Sequence, residues 1–522
     1  MLPDSTGDNH ILPRAKWWWL GLALLLTLAG WLYLRGYDAS LPFIAHVDEP
    51  QNMLEALHII EIGHARGVSR ESYPPGLRSV IYPFLKHLMP ADVHYGSMLP
   101  PLRLITISTW LLAVALIALL GAMAARPLSG LIAAAVWIVN PWVVERARWV
   151  LPDGYLTLFT LLALLLALAG CLHRRSSFST AAVYAMMLAI IFKTQAIFVA
   201  PIVLLLPMVG LRRAPAQREW AWKQTFWNCV RFAIFLAWLL VLYPTLDAPR
   251  EIDYFSVTEV RIVAPSPLKI WRLLEMILET FLPLSVWFVA MPGGLLLWRY
   301  RNRVNGAVIG SIALAALALL IGPHLLPLRG LQMRQFYTLG AMLAILVGIG
   351  VTGILSMLEE AFAKLAPERV SQFVQGPRQL IPAVLVTALA AIALAPNFRE
   401  SDALARNFAL HDRRNDLMRY MDTSVPPGKY ISNFDNHKTF NRAWGGYAGV
   451  HDFPWHKGYS MLADKPIEDW RALDVDYAIM PHRILSDASF AAYQDETALL
   501  KAYPPDPNFR DPGMVVLRLY PI

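Results

Sequence analysis

The sequence predicts a polytopic α-helical membrane protein of about eleven transmembrane helices, followed by a small C-terminal α/β domain outside the membrane. Three observations lead there. Apolar runs near 20 residues recur along the first three quarters of the chain, each enough to cross a hydrocarbon core of roughly 30 Å. Only 16% of the 522 residues are charged while 56% are hydrophobic, and the mean hydropathy is +0.43, whereas a soluble protein carries about 25% charged residues. Beyond residue 398 the composition turns polar over about 125 residues, enough for a domain with its own core. A soluble enzyme, a disordered chain and a coiled coil are excluded.

The first element is the apolar stretch Trp17 to Leu34, preceded by Arg14 and Lys16. It has the flanks of a signal peptide without the small-residue cleavage site, so it reads as a retained first helix leading outward. Later spans fall near 102–125, 128–144, 154–172, 178–192, 195–211, 227–243, 276–298, 304–323, 336–355 and 379–396. The short loops this topology puts in the cytoplasm are all basic. They hold Arg126; Arg174 and Arg175; Arg212, Arg213, Arg218 and Lys223; Arg299, Arg301 and Arg303; and Lys364, Arg369 and Arg378. That bias fixes orientation. It also accounts for the net charge of +8 without nucleic acid. Cys171 and Cys229 lie at predicted cytoplasmic boundaries and imply no disulfide framework. The protein is therefore expected in a plasma (inner) membrane, N-terminus cytoplasmic and C-terminal domain periplasmic or extracellular.

On this topology residues 1–397 form a transmembrane domain, in which 36–101 is a first outer loop with interfacial helices. The loop 244–275 is a second outer region, and 398–522 a third. The tail predicts a helix over 402–421, strands at Tyr430–Phe434, Tyr477–Met480 and Met514–Leu519, and a helix over 486–502.

The chemistry-bearing residues gather on the outer side. In His46-Val47-Asp48-Glu49-Pro50-Gln51, adjacent acids before a proline are consistent with the capped start of an interfacial helix. They are equally consistent with a carboxylate held at the water–lipid boundary as a base. Glu145-Arg146-Ala147-Arg148-Trp149-Val150-Leu151-Pro152-Asp153 places several charges between two apolar helices, where ionisable groups are costly. An Arg148–Asp153 ion pair closing the turn is one explanation and a ligand site the other. Lys193-Thr194-Gln195 interrupts the apolar stretch 182–209, and Arg334 in Leu331-Gln332-Met333-Arg334-Gln335-Phe336-Tyr337 precedes a late span. A snorkelling lysine explains the first singly. Together, Arg146, Arg148, Lys193 and Arg334 set four cations at outer helix ends, where the loop-charge rule predicts few. Cations at one depth beside a base candidate suit a phosphate-bearing lipid headgroup.

Two other groups bear on ligands. His46, Asp48, Glu49, His58, Glu61 and His64 share the first loop, but their spacing matches no tight zinc pattern; a divalent cation stays an option, with His46, His58 and His64 its weak candidates. In the tail, residues 433–459 interleave Phe434, Phe440, Trp444, Tyr447, Phe453 and Trp455 with polar groups. They are either a glycan-stacking platform or the core of a small domain around a Gly445-Gly446 turn.

At this level the chain resembles the GT-C glycosyltransferases, membrane enzymes that take sugars from polyprenyl-phosphate carriers. The protein O-mannosyltransferases and the lipid A aminoarabinose transferase have a similar layout. The resemblance rests on Asp48-Glu49, on Arg148 followed by Asp153, on Lys193-Thr194, on the Tyr73-Pro74-Pro75-Gly76 turn and on Arg334 with Tyr337, over roughly 17–350. It implies Asp48 as general base, with Glu49 positioning acceptor or base. It implies Arg148, Lys193 and Arg334 on the carrier phosphate, with Arg146, Tyr73, Arg78 and Tyr337 in the donor site. Asp153 would orient an arginine or the sugar. Such enzymes usually invert the anomeric centre. The chain departs from the pattern at Pro50 and at Tyr73, where some relatives carry a lysine before the prolines; Arg78 is the substitute candidate. The implied partners are a polyprenyl-phosphate-linked sugar donor, a lipid, glycan or protein acceptor, and membrane lipids, with no nucleic acid. A glycolipid or lipid-linked sugar transporter and a glycan polymerase or ligase are the alternatives. The lack of duplicated halves speaks against the transporter.

Overall fold

A computed structural model of the chain describes residues 13, 16–38, 49, 76–88, 95–210, 215–239, 271, 275, 306–322, 336–365, 375–409, 413–426, 430–432, 458–460, 476–482, 497–504 and 514–519. Its helices are α1 (Lys16–Leu34), α2 (Gly76–Leu88), α3 (Tyr95–Ala124), α4 (Pro127–Ile138), α5 (Pro141–Arg146) and α6 (Pro152–His173). There follow α7 (Ser176–Phe192), α8 (Ala200–Leu205), α9 (Pro215–Ala237), α10 (Gly306–Ile321), α11 (Tyr337–Leu365), α12 (Gln375–Phe408) and α13 (Arg413–Ser424). Among the described residues four helices are long and apolar enough to cross a bilayer, at Lys16–Leu34, Leu99–Ala124, Pro152–His173 and Tyr337–Ala361. Shorter apolar helices cover Pro127–Ile138, Ser176–Phe192, Thr194–Met208 and Gly306–Ile321. This is a helical membrane protein. The expected span 276–298 lies outside the described residues.

Backbone groups inside a bilayer must find partners within the protein, and the breaks in the bundle show how they do. The expected span 128–144 is two helices. Pro141 cannot continue α4, and Asn140 caps α5 by accepting from the amides of Trp142 and Val143. The carbonyl of Val139, left over by the break, accepts from Ser401 Oγ of α12 at 2.8 Å. The expected span 195–211 is likewise broken, into a 3-10 turn (Thr194–Phe198), α8 and a second 3-10 turn (Leu206–Gly210). At one end of the bundle Arg126, between α3 and α4, forks onto Glu359 of α11, and Trp18 Nε1 donates to the Pro127 carbonyl at 2.9 Å. The first residues of α6 and α11 stand at the opposite end.

The tail holds a five-stranded mixed sheet. Its strands are β1 (Tyr430–Ser432), β2 (Gly458–Ser460), β3 (Tyr477–Pro481), β4 (Thr497–Tyr503) and β5 (Met514–Leu519), in the order β2-β1-β3-β5-β4. β1 runs parallel to β2 and β3, while β5 is antiparallel to β3 and β4. Leu417 and Met421 of α13, with Val425 just past its end, pack on Tyr477, Ile479 and Val516. Two expectations change here. The helix over 402–421 is the end of α12 plus a separate α13. The 497–502 part of the expected helix 486–502 is strand, because β5 supplies an antiparallel partner that outweighs local helix preference. Of the aromatic stretch 433–459, only Gly458 and Tyr459 are described, in β2.

Candidate active site

The turn from Glu145 to Asp153 organises one end of the bundle. It links α5 to α6, and Pro152 at the first helical position leaves Asp153 in the first turn of α6, where a negative charge is favoured. Glu49, Arg103, Arg148 and Asp153, which converge on it, each bond to residues distant in sequence.

The first anchor is Glu49. Its Oε1 accepts from Arg103 Nε at 2.9 Å and from the Val150 amide at 2.9 Å, and its Oε2 accepts from Arg103 Nη2 at 2.7 Å. Arg103 also donates through Nη1 to the Tyr37 carbonyl at 2.9 Å and lies 4.7 Å over the Trp149 ring. Both partners are fully buried. Glu49 therefore joins the first loop to α3 and to the 145–153 turn, with both oxygens engaged. That is a positioning role. Arg103 was not singled out in the sequence, where it lies at the start of an apolar span; a lone guanidinium inside such a run is the signal that points to it.

The second anchor is Lys193, whose Nζ donates to Asp153 Oδ1 at 2.7 Å. Both are buried. The segment before Lys193 is rigid, because the Phe192 ring stacks on Tyr155 at 4.5 Å and on Phe159 at 5.5 Å. Gly76, which opens α2, packs so closely there that a Cβ would stand 2.9 Å from the Ile191 carbonyl. Gly76 thus packs against the last residues of the helix that leads into Lys193.

The arginines of the turn differ in employment. Arg146 interacts with Tyr337, the first residue of α11; burial opposes its charge, but Tyr337 and the carboxylates of Glu145 and Asp153 outweigh it and raise its pKa. Arg148 turns the other way. Its Nη1 donates to the Arg35 carbonyl at 2.9 Å, and its Nη2 to the carbonyls of Val144 and Leu32 at 3.0 and 3.4 Å. The guanidinium lies 4.0 Å over the Phe408 ring. Burial, and then the charge of Arg103, push its pKa down to about 9. Arg148 closes the C-terminal end of α1, whose last carbonyls need donors. Of the two explanations for the turn, the Arg148–Asp153 ion pair is not formed: Asp153 pairs with Lys193.

Among the expected site residues, Glu49, Arg146, Asp153, Lys193 and Tyr337 converge on this end, and Arg148 supports it from behind. Arg78 lies on α2. Asp48, Tyr73, Arg334, His46, His58 and His64 lie outside the described residues. Among the described residues no group of three His, Cys, Asp or Glu side chains could hold a metal ion. Chemically, the end offers cations, an aromatic hydroxyl and a carboxylate in a buried, low-dielectric setting, which suits an anion bearing polar substituents.

No protein-family model matches the chain, and no curated protein matches it by sequence. Solved structures do. The archaeal oligosaccharyltransferase AglB of Archaeoglobus fulgidus, in complex with an inhibitory peptide and a dolichol-phosphate, is 11% identical. It superposes with a TM-score of 0.54 over 90% of this chain and 70% of its own. ArnT from Cupriavidus metallidurans, bound to undecaprenyl phosphate, is 13% identical with a TM-score of 0.51, over 97% of this chain and 98% of its own. The fold is therefore that of the GT-C glycosyltransferases, and the resemblance drawn from the sequence holds at the level of architecture.

Proposed function

We propose that this chain is an inverting glycosyltransferase that moves a sugar from a polyprenyl-phosphate carrier to a lipid, glycan or protein acceptor at the outer face of the membrane. One observation carries the reading: Glu49 is bound to Arg103 and to the Val150 amide. That contact ties the acidic pair of the first loop to the turn bearing Arg146 and Asp153. On this reading Asp48, the residue before Glu49, serves as general base. It takes the proton of the acceptor hydroxyl. The acceptor oxygen attacks the anomeric carbon, and the bond from that carbon to the phosphate oxygen breaks. The carrier phosphate leaves with the electron pair, and attack opposite to it inverts the centre.

Lys193 and Arg146 stabilise the negative charge that builds on the leaving phosphate, a role this reading also gives to Arg334. Tyr73 and Arg78 serve the same donor site on this reading. Arg148 contributes indirectly, by fixing the turn. Residues 398–522 form an extracytoplasmic domain on this reading. The AglB and ArnT structures, obtained with polyprenyl-type phosphates, share its architecture.

The test is mass spectrometry of cell-envelope glycans and carrier lipids from cells carrying the wild-type chain or Asp48→Asn. The variant should lower transfer at least about 100-fold, the lower end of general-base contributions, with normal insertion and purification. Near-wild-type transfer in Asp48→Asn removes the base and with it this mechanism.

A further inference from the structure

Two buried acceptors, one on the ion-pair partner of Lys193 and one two residues along the chain from it, receive no hydrogen bond from any described residue. Asp153 gives only Oδ1 to Lys193, while its Oδ2 is sealed from solvent and accepts nothing. Gln195, two residues beyond Lys193 on the 3-10 turn, has an Oε1 in the same condition. Asp153 is 1% exposed and Gln195 3%. Folded proteins nearly always supply partners to such atoms, so these two orphaned oxygens point to a ligand that donates.

The charge around them selects the donor. The Lys193 ammonium already sits 2.7 Å from the Asp153 carboxylate, and the Arg146 guanidinium interacts with the same carboxylate. A divalent cation or an amine placed on Oδ2 would meet both like charges at short range. A neutral hydroxyl brings a proton without a charge. We propose that Asp153 Oδ2 and Gln195 Oε1 form a paired acceptor for two hydroxyl groups of the sugar ring carried by the donor, making Gln195 a sugar-recognition residue. This rests on the donor reading above. It deepens that reading by dividing the site: Lys193 and Arg146 hold the phosphate, common to all carriers, while the two acceptors read the sugar. Phe192, pinned between Tyr155 and Phe159, keeps the turn rigid enough to discriminate.

The test measures binding by native mass spectrometry of the full chain in nanodiscs. The probes are undecaprenyl phosphate alone and undecaprenyl phosphate linked to hexoses, pentoses and N-acetylhexosamines. One sugar-loaded carrier should bind at least about fivefold tighter than the bare carrier, and Gln195→Met should erase about five- to tenfold of that advantage. Binding of bare carrier should stay within twofold. Gln195→Glu, which keeps an acceptor oxygen, should retain most of the advantage. On the wild-type chain, a matching donor lacking one ring hydroxyl should lose a similar factor, which checks the claim without any substitution. If every loaded carrier binds like the bare one, or if Gln195→Met weakens both alike, the acceptor pair is wrong and the carrier site stands. If the sugar advantage disappears with EDTA and returns with Mg²⁺, the oxygens hold a metal and the hydroxyl assignment is overturned. If undecaprenyl phosphate itself does not bind, the donor reading falls, and this inference with it.

Discussion

Replacing Arg103 tests whether the Glu49 anchor positions the site or merely stabilises the fold. Arg103→Met removes two hydrogen bonds to Glu49 and one to the Tyr37 carbonyl, along with the stacking on Trp149. Among the described residues it leaves this buried carboxylate with only the Val150 amide. Breaking one side of a buried pair costs about 3–5 kcal/mol, whereas replacing both sides by apolar groups is often close to neutral. The single variant should therefore lose about 3 kcal/mol or more in reversible SDS unfolding in mixed micelles. The double variant Arg103→Met/Glu49→Leu should recover most of that loss. Sugar transfer should not recover, because the first loop no longer has its tie to the turn. A double variant with restored stability and restored transfer would refute the positioning role. A single variant costing under about 1 kcal/mol would refute the buried pair itself.

Three further outcomes follow from the same geometry. Arg148→Met should lower stability by about 2 kcal/mol through its lost carbonyl contacts, while the KM for a lipid-phosphate donor stays within twofold; a tenfold rise in KM would return Arg148 to the phosphate. Lys193→Met strands the Asp153 carboxylate and should cost about 3–5 kcal/mol, more than half of it regained in Lys193→Met/Asp153→Asn; no regain in the unfolding midpoint argues against the pair. Gly36→Ala puts a side chain at φ +69°, with its Cβ 2.5 Å from the Phe408 carbonyl. The backbone term alone costs about 1–2 kcal/mol, so an unchanged melting temperature would contradict the contact.

Much of the bundle was legible because apolar length and terminal charge are local signals. The expected spans at 154–172 and 178–192 match α6 and α7 within two residues. The break at Asn140-Pro141 was also local, a capping residue before a proline, but the long apolar run around it hid it. Strand β4 depends on a partner, β5, that pattern reading does not supply.

The site was legible in its cast and illegible in its pairing. Arg146, Arg148, Asp153 and Lys193 stand out as charges at apolar helix ends, yet the sequence cannot say which touches which. Five-residue spacing offered Arg148 with Asp153 as one explanation of the turn, while the actual partner of Asp153 is 40 residues away. Glu49 finds Arg103 across 54 residues. A guanidinium that caps a helix and one that grips phosphate have the same sequence signature; only the carbonyls of Leu32 and Arg35 around Arg148 separate them.

The end of α12 has a practical consequence for anyone shortening the protein. A cut at 397, where composition changes, severs an unbroken helix. It discards Ser401, Asp402 and Phe408, which touch the Val139 carbonyl, the Arg35 side chain and the faces of Arg148 and Trp149. Such a truncated chain would be inactive for mechanical reasons, and its silence would be mistaken for proof that the tail recognises the acceptor. Only a deletion beginning after Ala409 asks that question fairly.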